Sequence, residues 1–334
     1  MKYRTLGKTR LEVSEIGFGG IPIQRLPKEE AAAIVKKAYQ SGINFFDTAR
    51  GYTDSEEKIG KALSAIPRNE IIVATKSRVR NKQKVKEDVD RSLHLLRTDY
   101  IDLYQIHNVS NSEELDLIFS EDVTGALREA QKEGKIRYIG LTSHNTEIAA
   151  SALQQENFDT VQFPLNPLEL EATADILPLA QEKNIGTIIM KPLCGGAIEQ
   201  KELALRYLLD FPVSTIIPGM QSEEEITQNI AVTQQNKLTE EEKNKLEAEV
   251  HVLGTRFCRR CEYCLPCPED IHITFNLLML GYYRRYGLHQ WASERYHSQK
   301  VKASACHDCG LCEERCPYHL PVREMLRECR EIFE

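Results

Sequence analysis

Residues 28–49 read KEEAAAIVKKAYQSGINFFDTA. The first half has helical spacing, Ser41-Gly42 interrupts it, and Ile43–Ala49 is an apolar run that contains one ionisable residue, Asp47. An apolar run without strict polar alternation suits a parallel strand covered on both faces. The same alternation of helix-like and strand-like segments recurs along the chain. Candidate strands are EIGFGG (15–20), INFFDTA (43–49), IIVATK (71–76), YIDLYQIH (100–107), IRYIGLTS (136–143), TVQFPLN (160–166), GTIIMKPL (186–193) and STIIPGM (214–220). Eight such β-then-α units predict an α/β fold, a (β/α)8 TIM barrel, over an open doubly wound sheet. The opening YRTLGKTRLEVS (3–14) reads as a hairpin that turns at Gly7-Lys8 and caps the bottom of the barrel.

A chain of 334 residues can hold a large domain and a small one. Its net charge of -7 argues against nucleic acid or an anionic membrane as the main partner. No apolar run approaches the roughly 18 residues that span a bilayer. The N-terminal MKYRTLGKTRLEVSEIG contains no apolar signal core, so the expected location is cytoplasmic. Cysteines in a reducing compartment favour metal ligation over disulfides. The expected division is a barrel at 1–235, a charged helical linker at 236–256, and a cysteine-rich domain at 257–334.

A barrel of this kind places its active site at the C-terminal ends of its strands. Asp47, Lys76 and His107 stand at three successive strand ends, and Tyr52 lies in the loop after the first of them. A lysine ammonium stabilises phenolate, so a nearby tyrosine can give up its proton nearer neutrality. Asp47 would then hold Lys76, Tyr52 would serve as general acid, and His107 would orient a carbonyl oxygen or relay the proton. Singly, each has a plainer reading as a cap, a loop residue or a snorkelling cation; the four together reduce the weight of chance.

From residue 1 to about 235 the sequence resembles the aldo-keto reductase family. The resemblance rests on YRTLGKTRLEVSEIGFGG, GINFFDTARGY with SEEKIGKAL, IIVATK, DYIDLYQIH, EGKIRYIGLTSHN, VQFPLNP and KPL, in that order. It implies a (β/α)8 barrel and reversible carbonyl reduction by a nicotinamide on a small-molecule carbonyl substrate. The family's catalytic Asp, Tyr, Lys and His fall on Asp47, Tyr52, Lys76 and His107, and its carboxamide-holding residues on Thr142, Ser143 and Gln162. Many members grip the 2′-phosphate of NADP with Lys and Arg after the eighth strand. Here the matching IPGMQSEEEITQNI (217–230) has Gly219 and Glu225 at those places. Glu223–Glu225 are poor company for a phosphate dianion, and Glu could accept hydrogen bonds from a ribose diol instead. NAD(H) is therefore slightly favoured over NADP(H). Gly219, Met220, Gln221 and Asn229 are the expected cofactor-loop positions, with Lys191 as a basic group that could reach a 2′-phosphate.

Eight of the ten cysteines form two combs. RFCRRCEYCLPCPED (256–270) holds Cys258, Cys261, Cys264 and Cys267; ACHDCGLCEERCPYHL (305–320) holds Cys306, Cys309, Cys312 and Cys316. The second matches the C-x2-C-x2-C-x3-C-P run of bacterial ferredoxins, and the first has one residue fewer before its last Cys. The tail resembles the dicluster ferredoxin modules fused to enzymes. That pattern implies two [4Fe–4S] clusters with crossed fourth ligands: Cys258, Cys261, Cys264 and Cys316 for one, and Cys306, Cys309, Cys312 and Cys267 for the other. Zinc also takes four thiolates, but usually from two separated pairs. Cys194 and Cys329 fall outside the combs; Cys194, expected near the barrel mouth, reads as a buried or loop thiol without a role. Between the combs, the aromatic and basic stretch 275–303 reads first as packing for the small domain, then as a docking face for a redox partner, and last as a nucleic-acid surface.

The expected function is an oxidoreductase with NAD(P)H-dependent carbonyl reduction in the barrel and clusters that transfer electrons, to a ferredoxin-like or other redox partner. Exchange between a two-electron hydride and one-electron clusters needs a splitter, so a flavin is possible. The alternatives are an electron-transfer protein whose barrel is a binding scaffold, and a reductase whose clusters only staple a small tail.

Overall fold

A computed structural model describes residues 1–120 and 122–334. The chain divides into two units, Met1–Pro192 with Glu202–Leu238, and Leu193–Lys201 with Thr239–Glu334. The helix Glu240–Gly254, expected as a linker, falls in the second unit, as does the segment 193–201.

The first unit opens with an antiparallel hairpin, β1 (Tyr3–Thr5) and β2 (Glu12–Ser14), joined through a short 3-10 turn at Gly7–Thr9. Eight strands then form one parallel sheet in chain order. They are β3 (Phe18–Gly19), β4 (Phe45–Asp47), β5 (Ile72–Ser77), β6 (Ile101–Ile106), β7 (Ile136–Thr142), β8 (Thr160–Pro164), β9 (Gly186–Met190) and β10 (Thr215–Ile216). Parallel bridges Ile16–Ile216 and Gly19–Gly219 join the last strand to the first and close the sheet into a barrel. All eight expected strands are present. The closure is tight: a Cβ on Gly19 would lie 2.8 Å from the Pro218 carbonyl oxygen, so only glycine fits there.

The barrel interior is apolar at its N-terminal end. Phe45, Ile72, Ala74, Leu103, Ile188 and Ile217 meet there, and Leu6 and Val13 of the hairpin plug them from below. Arg4 fixes the hairpin to the far end of the unit. Its guanidinium donates to Glu15 Oε1 at 2.7 Å, Val213 O at 2.8 Å and Leu209 O at 2.8 Å. Gly7 sits at φ 52 with a built Cβ only 2.3 Å from Gly186 N, which explains the glycine at the turn. With this end sealed, the opposite end of the barrel is left for chemistry.

The second unit has its own apolar core. Ile271, Ile273, Leu277, Met279, Leu280, Tyr296, Leu326 and Phe333 are buried together with Cys312, Cys316 and Cys329. They come mainly from the helices Ile273–Arg284, His289–His297 and Val322–Phe333. Tyr296 stacks on Phe333 with centroids 4.4 Å apart, and Arg295 lies 3.7 Å over the Trp291 ring. Within the 275–303 stretch these aromatics are therefore packing groups. Among the described residues, no helix is long and apolar enough to cross a membrane.

Candidate active site and cysteine cavities

Side chains on a strand alternate faces, so residues two apart share one. The parity that sends Phe45, Ala74 and Leu103 into the bottom core sends Asp47, Lys76, Gln105 and His107 inward at the top. Lys76 is 1% exposed and Asp47 2%. The Lys76 ammonium donates to Asp47 Oδ1 at 2.8 Å, to Oδ2 at 2.6 Å and to the Thr48 carbonyl at 2.9 Å. That satisfies all three of its donors inside the protein. Burial pushes the Lys76 ammonium below its ordinary value, against the pull of Asp47, and pushes the Asp47 carboxyl up, against the pull of Lys76.

The Tyr52 ring lies 5.0 Å from Lys76 Nζ and meets His107 edge-on with centroids 5.8 Å apart. Burial, then the charges of Lys76, Arg78 and Arg80, hold His107 well below the imidazole range. A neutral ring at this place can orient an oxygen without adding charge. The four expected residues are thus brought together.

The residues expected for a carboxamide also meet. Thr142 and Gln162 are register partners on β7 and β8, and Ser143 N donates to Gln162 O at 3.1 Å. Gln162 Oε1 accepts from Gln105 Nε2 at 2.8 Å, and Thr142 Oγ1 accepts from Asn108 N at 2.7 Å. The Ser143 hydroxyl is already engaged, donating to Val109 O at 2.6 Å in the loop after β6 and lying 2.9 Å from Asn145 O in its own loop. Gln105 Oε1, His107 Nδ1 and Asn108 Oδ1 are buried and lack a hydrogen-bond partner. Orphaned polar atoms at strand ends fit the binding of a polar ligand. Gln105 was missed in the sequence, although it stands two places before His107 and so faces inward.

The expected cofactor loop follows β10. A Cβ on Gly219 would lie 2.6 Å from Pro22 Cγ, so a longer side chain would have to displace the Pro22 ring. Met220 is fully buried, and Asn229 is 6% exposed on the helix Glu223–Ala231. Ser222 caps that helix by accepting from Glu225 N, while Glu225 Oε2 accepts from Gln221 N at 2.7 Å. Glu225 is therefore engaged with its own loop instead of standing free for a ribose. Glu223 pairs with Lys37 at 3.3 Å. Lys191 follows β9 at φ 55, its carbonyl accepting from Asn166 Nδ2 at 3.2 Å.

In the second unit, Cys258, Cys261, Cys264 and Cys316 line one small cavity. Cys267, Cys306, Cys309 and Cys312 line another, whose wall Cys264 shares. Burial and the neighbouring Cys258, Cys261 and Cys312 push the Cys264 thiol up to about 12. Each set lines a common space. Four thiols around such a space fit an iron–sulfur cubane. Arg259 borders the first cavity and lies 3.8 Å over the Tyr318 ring, while Arg323 borders the second. Cys329 is fully buried with its thiol 3.6 Å from Asn276 O, and burial pushes it up to about 12. It is a core thiol; Cys194 is also buried.

Comparison with known proteins agrees with this architecture. The model of the aldo/keto reductase family matches residues 15–203, and that of a 4Fe-4S dicluster domain matches 257–321. The chain is 30% identical over 300 residues to L-galactose dehydrogenase of Arabidopsis thaliana, covering 75% of this chain and 93% of that one. It is 29% identical over 227 residues to the NADH-specific methylglyoxal reductase of Escherichia coli, with 59% and 69% covered. The solved structure of aldo-keto reductase AKR11C1 from Bacillus halodurans, in its holo form, superposes with a TM-score of 0.66 at 28% identity, covering 75% of this chain and 96% of that one. The chain belongs to the aldo/keto reductase family. It is an oxidoreductase of that type that also carries a C-terminal dicluster domain.

The ion pair makes a test of stability. Removing one member of a buried pair strands the other charge and typically costs about 3–5 kcal/mol, whereas apolar replacement of both is far milder. Lys76→Met should therefore lower the stability seen in urea unfolding by roughly that amount, and Lys76→Met with Asp47→Leu should recover part of it. A double variant as unstable as the single would show that the loss does not come from the stranded carboxylate.

Proposed function

We propose that the barrel reduces a small-molecule carbonyl with Tyr52 as general acid. The carrying observation is the buried Lys76–Asp47 pair beside the Tyr52 ring. Bound NAD(P)H supplies the hydride. Asp47 keeps Lys76 protonated in a buried place where desolvation opposes the charge. The Lys76 ammonium favours developing phenolate, so Tyr52 can donate its proton to the carbonyl oxygen while the hydride goes to the carbon, giving an alcohol. Neutral His107 orients that oxygen. Gln162 and Thr142, with Ser143 through its backbone, would hold the carboxamide, and Lys191, Gly219, Met220, Gln221 and Asn229 would border the rest of the nucleotide.

NADH fits this site better than NADPH. Gly219 offers no basic side chain, and three glutamates occupy the first turn of the next helix, where an anion would otherwise bind. One relative is itself named as NADH-specific.

The two cavities support [4Fe–4S] clusters with crossed ligands, because Cys316 joins the first comb's space and Cys267 the second's. We assign them to one-electron exchange with a ferredoxin-like carrier. Coupling that exchange to hydride chemistry would require a flavin or similar splitter.

Tyr52→Phe should abolish NADH-dependent reduction of a probe aldehyde such as 4-nitrobenzaldehyde, with nucleotide binding and iron content unchanged. Undiminished turnover would show that the acid lies elsewhere. Titration of both nucleotides should give a dissociation constant for NADH no larger than that for NADPH, and a clear preference for NADPH would point to a basic group such as Lys191 at the 2′-phosphate. In anaerobic protein reduced with dithionite, Cys316→Ser should perturb the EPR signal of the first comb's cluster and Cys267→Ser that of the second. Each substitution disturbing its own comb's cluster would refute the crossing, and wild-type protein holding zinc without sulfide would refute the clusters.

A further inference from the structure

Glu56 carries a buried charge that the reaction as proposed does not use. It is 2% exposed and stands two residues beyond the end of the loop that carries Tyr52. Its Oε2 accepts from Arg50 at 2.6 Å, and its Oε1 accepts from the Thr75 hydroxyl at 2.7 Å and the Ser92 hydroxyl at 2.7 Å. A carboxylate so placed has its charge and most of its acceptor capacity satisfied by three elements of chain: the loop, β5 and the helix Lys82–Leu96.

The arrangement brackets Tyr52. Arg50 and Glu56 lie on either side of it in sequence and are clamped together by charge and hydrogen bond. Arg50 N also donates to Lys76 O at 2.9 Å, and Arg50 Nε lies 3.5 Å from Asp88. Inside the bracket, Tyr52 N donates to Ala49 O at 3.0 Å and Ser55 N to Tyr52 O at 2.8 Å. A second tie runs beside the first. The Thr48 hydroxyl donates to Ser55 Oγ at 2.9 Å, and that hydroxyl donates to Gly20 O at 2.9 Å. Thr75 and Lys76 are neighbours on β5, so one carboxylate registers the Tyr52 loop against the strand that bears Lys76.

We propose that Glu56, acting through Arg50 and Thr75, is a positioning residue that holds Tyr52 against the Lys76 ammonium. This rests on the reading of Tyr52 as the acid. Glu56 touches neither substrate nor nucleotide in that reading. Its negative charge also supports the protonated state of Lys76, in the same sense as Asp47. Displacing a reacting group by about 1 Å can cost up to a hundredfold in rate.

The test compares Glu56→Gln, Arg50→Lys and Tyr52→Phe in the full chain with its clusters, using NADH and 4-nitrobenzaldehyde. Glu56→Gln should lower kcat about ten- to a hundredfold while the NADH dissociation constant stays within about twofold. Arg50→Lys, which keeps the positive charge, should retain more of kcat. Hydrogen exchange of the amides at 50–55 should quicken in Glu56→Gln and remain slow elsewhere in the barrel, a readout that needs no substrate. Wild-type kcat and exchange in Glu56→Gln would overturn the proposal, as would a parallel loss of kcat, nucleotide affinity and melting temperature, which would mark a general structural role. If Tyr52→Phe is inactive while Glu56→Gln is fully active, only the positioning role falls. If Tyr52→Phe turns over normally, the acid assignment falls first and the positioning role with it.

Discussion

A lysine that is 1% exposed inside a barrel can persist only if its charge is answered on the spot. Asp47 does this with both oxygens, and the Thr48 carbonyl takes the third proton. Much of the upper barrel is arranged around that requirement. β4 and β5 must be adjacent and in register, which the pairing of Asp47 with Ala74 achieves. The lower barrel must be dry and closed, which the hairpin plug achieves through Leu6 and Val13. The loop after β4 must return over the pair, which the ties at Thr48, Arg50, Ser55 and Glu56 achieve. The ion pair therefore contributes less as net stabilisation than as a constraint on which arrangements are allowed.

The barrel was legible because its strands are covered on both faces and so read as apolar runs between helical stretches. Even β3 and β10, which have only two residues each, were recoverable, since the flanking EIGFGG and STIIPGM stay apolar beyond the paired residues. The site was legible for a related reason. Period two carries inward-facing core positions directly to inward-facing strand ends, so Asp47, Lys76 and His107 could be placed together from spacing alone.

What stayed hidden was polar and distant in sequence. Glu56 looks like one of two ordinary acids in the first turn of a helix, and nothing local tells it from its neighbour Glu57, which pairs with Lys28 near the surface. Its partners Thr75 and Ser92 are 19 and 36 residues away. The allegiance of Glu240–Gly254 was hidden in the same way. The helix buries only Leu246, and its charged pattern reads as a linker. Yet Glu249 Oε2 accepts from Gln200 N at 3.1 Å within the second unit. The acidic run at 223–225 reads as a block of like charge, yet Glu225 is a local cap, a role fixed by its spacing from Ser222 and Gln221.

The second unit bears on what clusters contribute there. A tail that depended on metal for its fold would be expected to have little apolar interior. Here aromatic and aliphatic side chains from three helices form a continuous core, with Tyr296 and Phe333 stacked inside it and the Tyr296 hydroxyl donating to Glu334 at 2.5 Å. The cysteine cavities lie against that core. Burial pushes the Cys261, Cys264 and Cys312 thiols up, Cys312 to about 11, so holding iron there means displacing protons from a place that resists charge. Positive neighbours such as Arg259 and Arg323 ease that cost. A domain able to pack this much apolar surface has less need of a metal staple, and two complete sets of four thiols exceed what stapling alone requires.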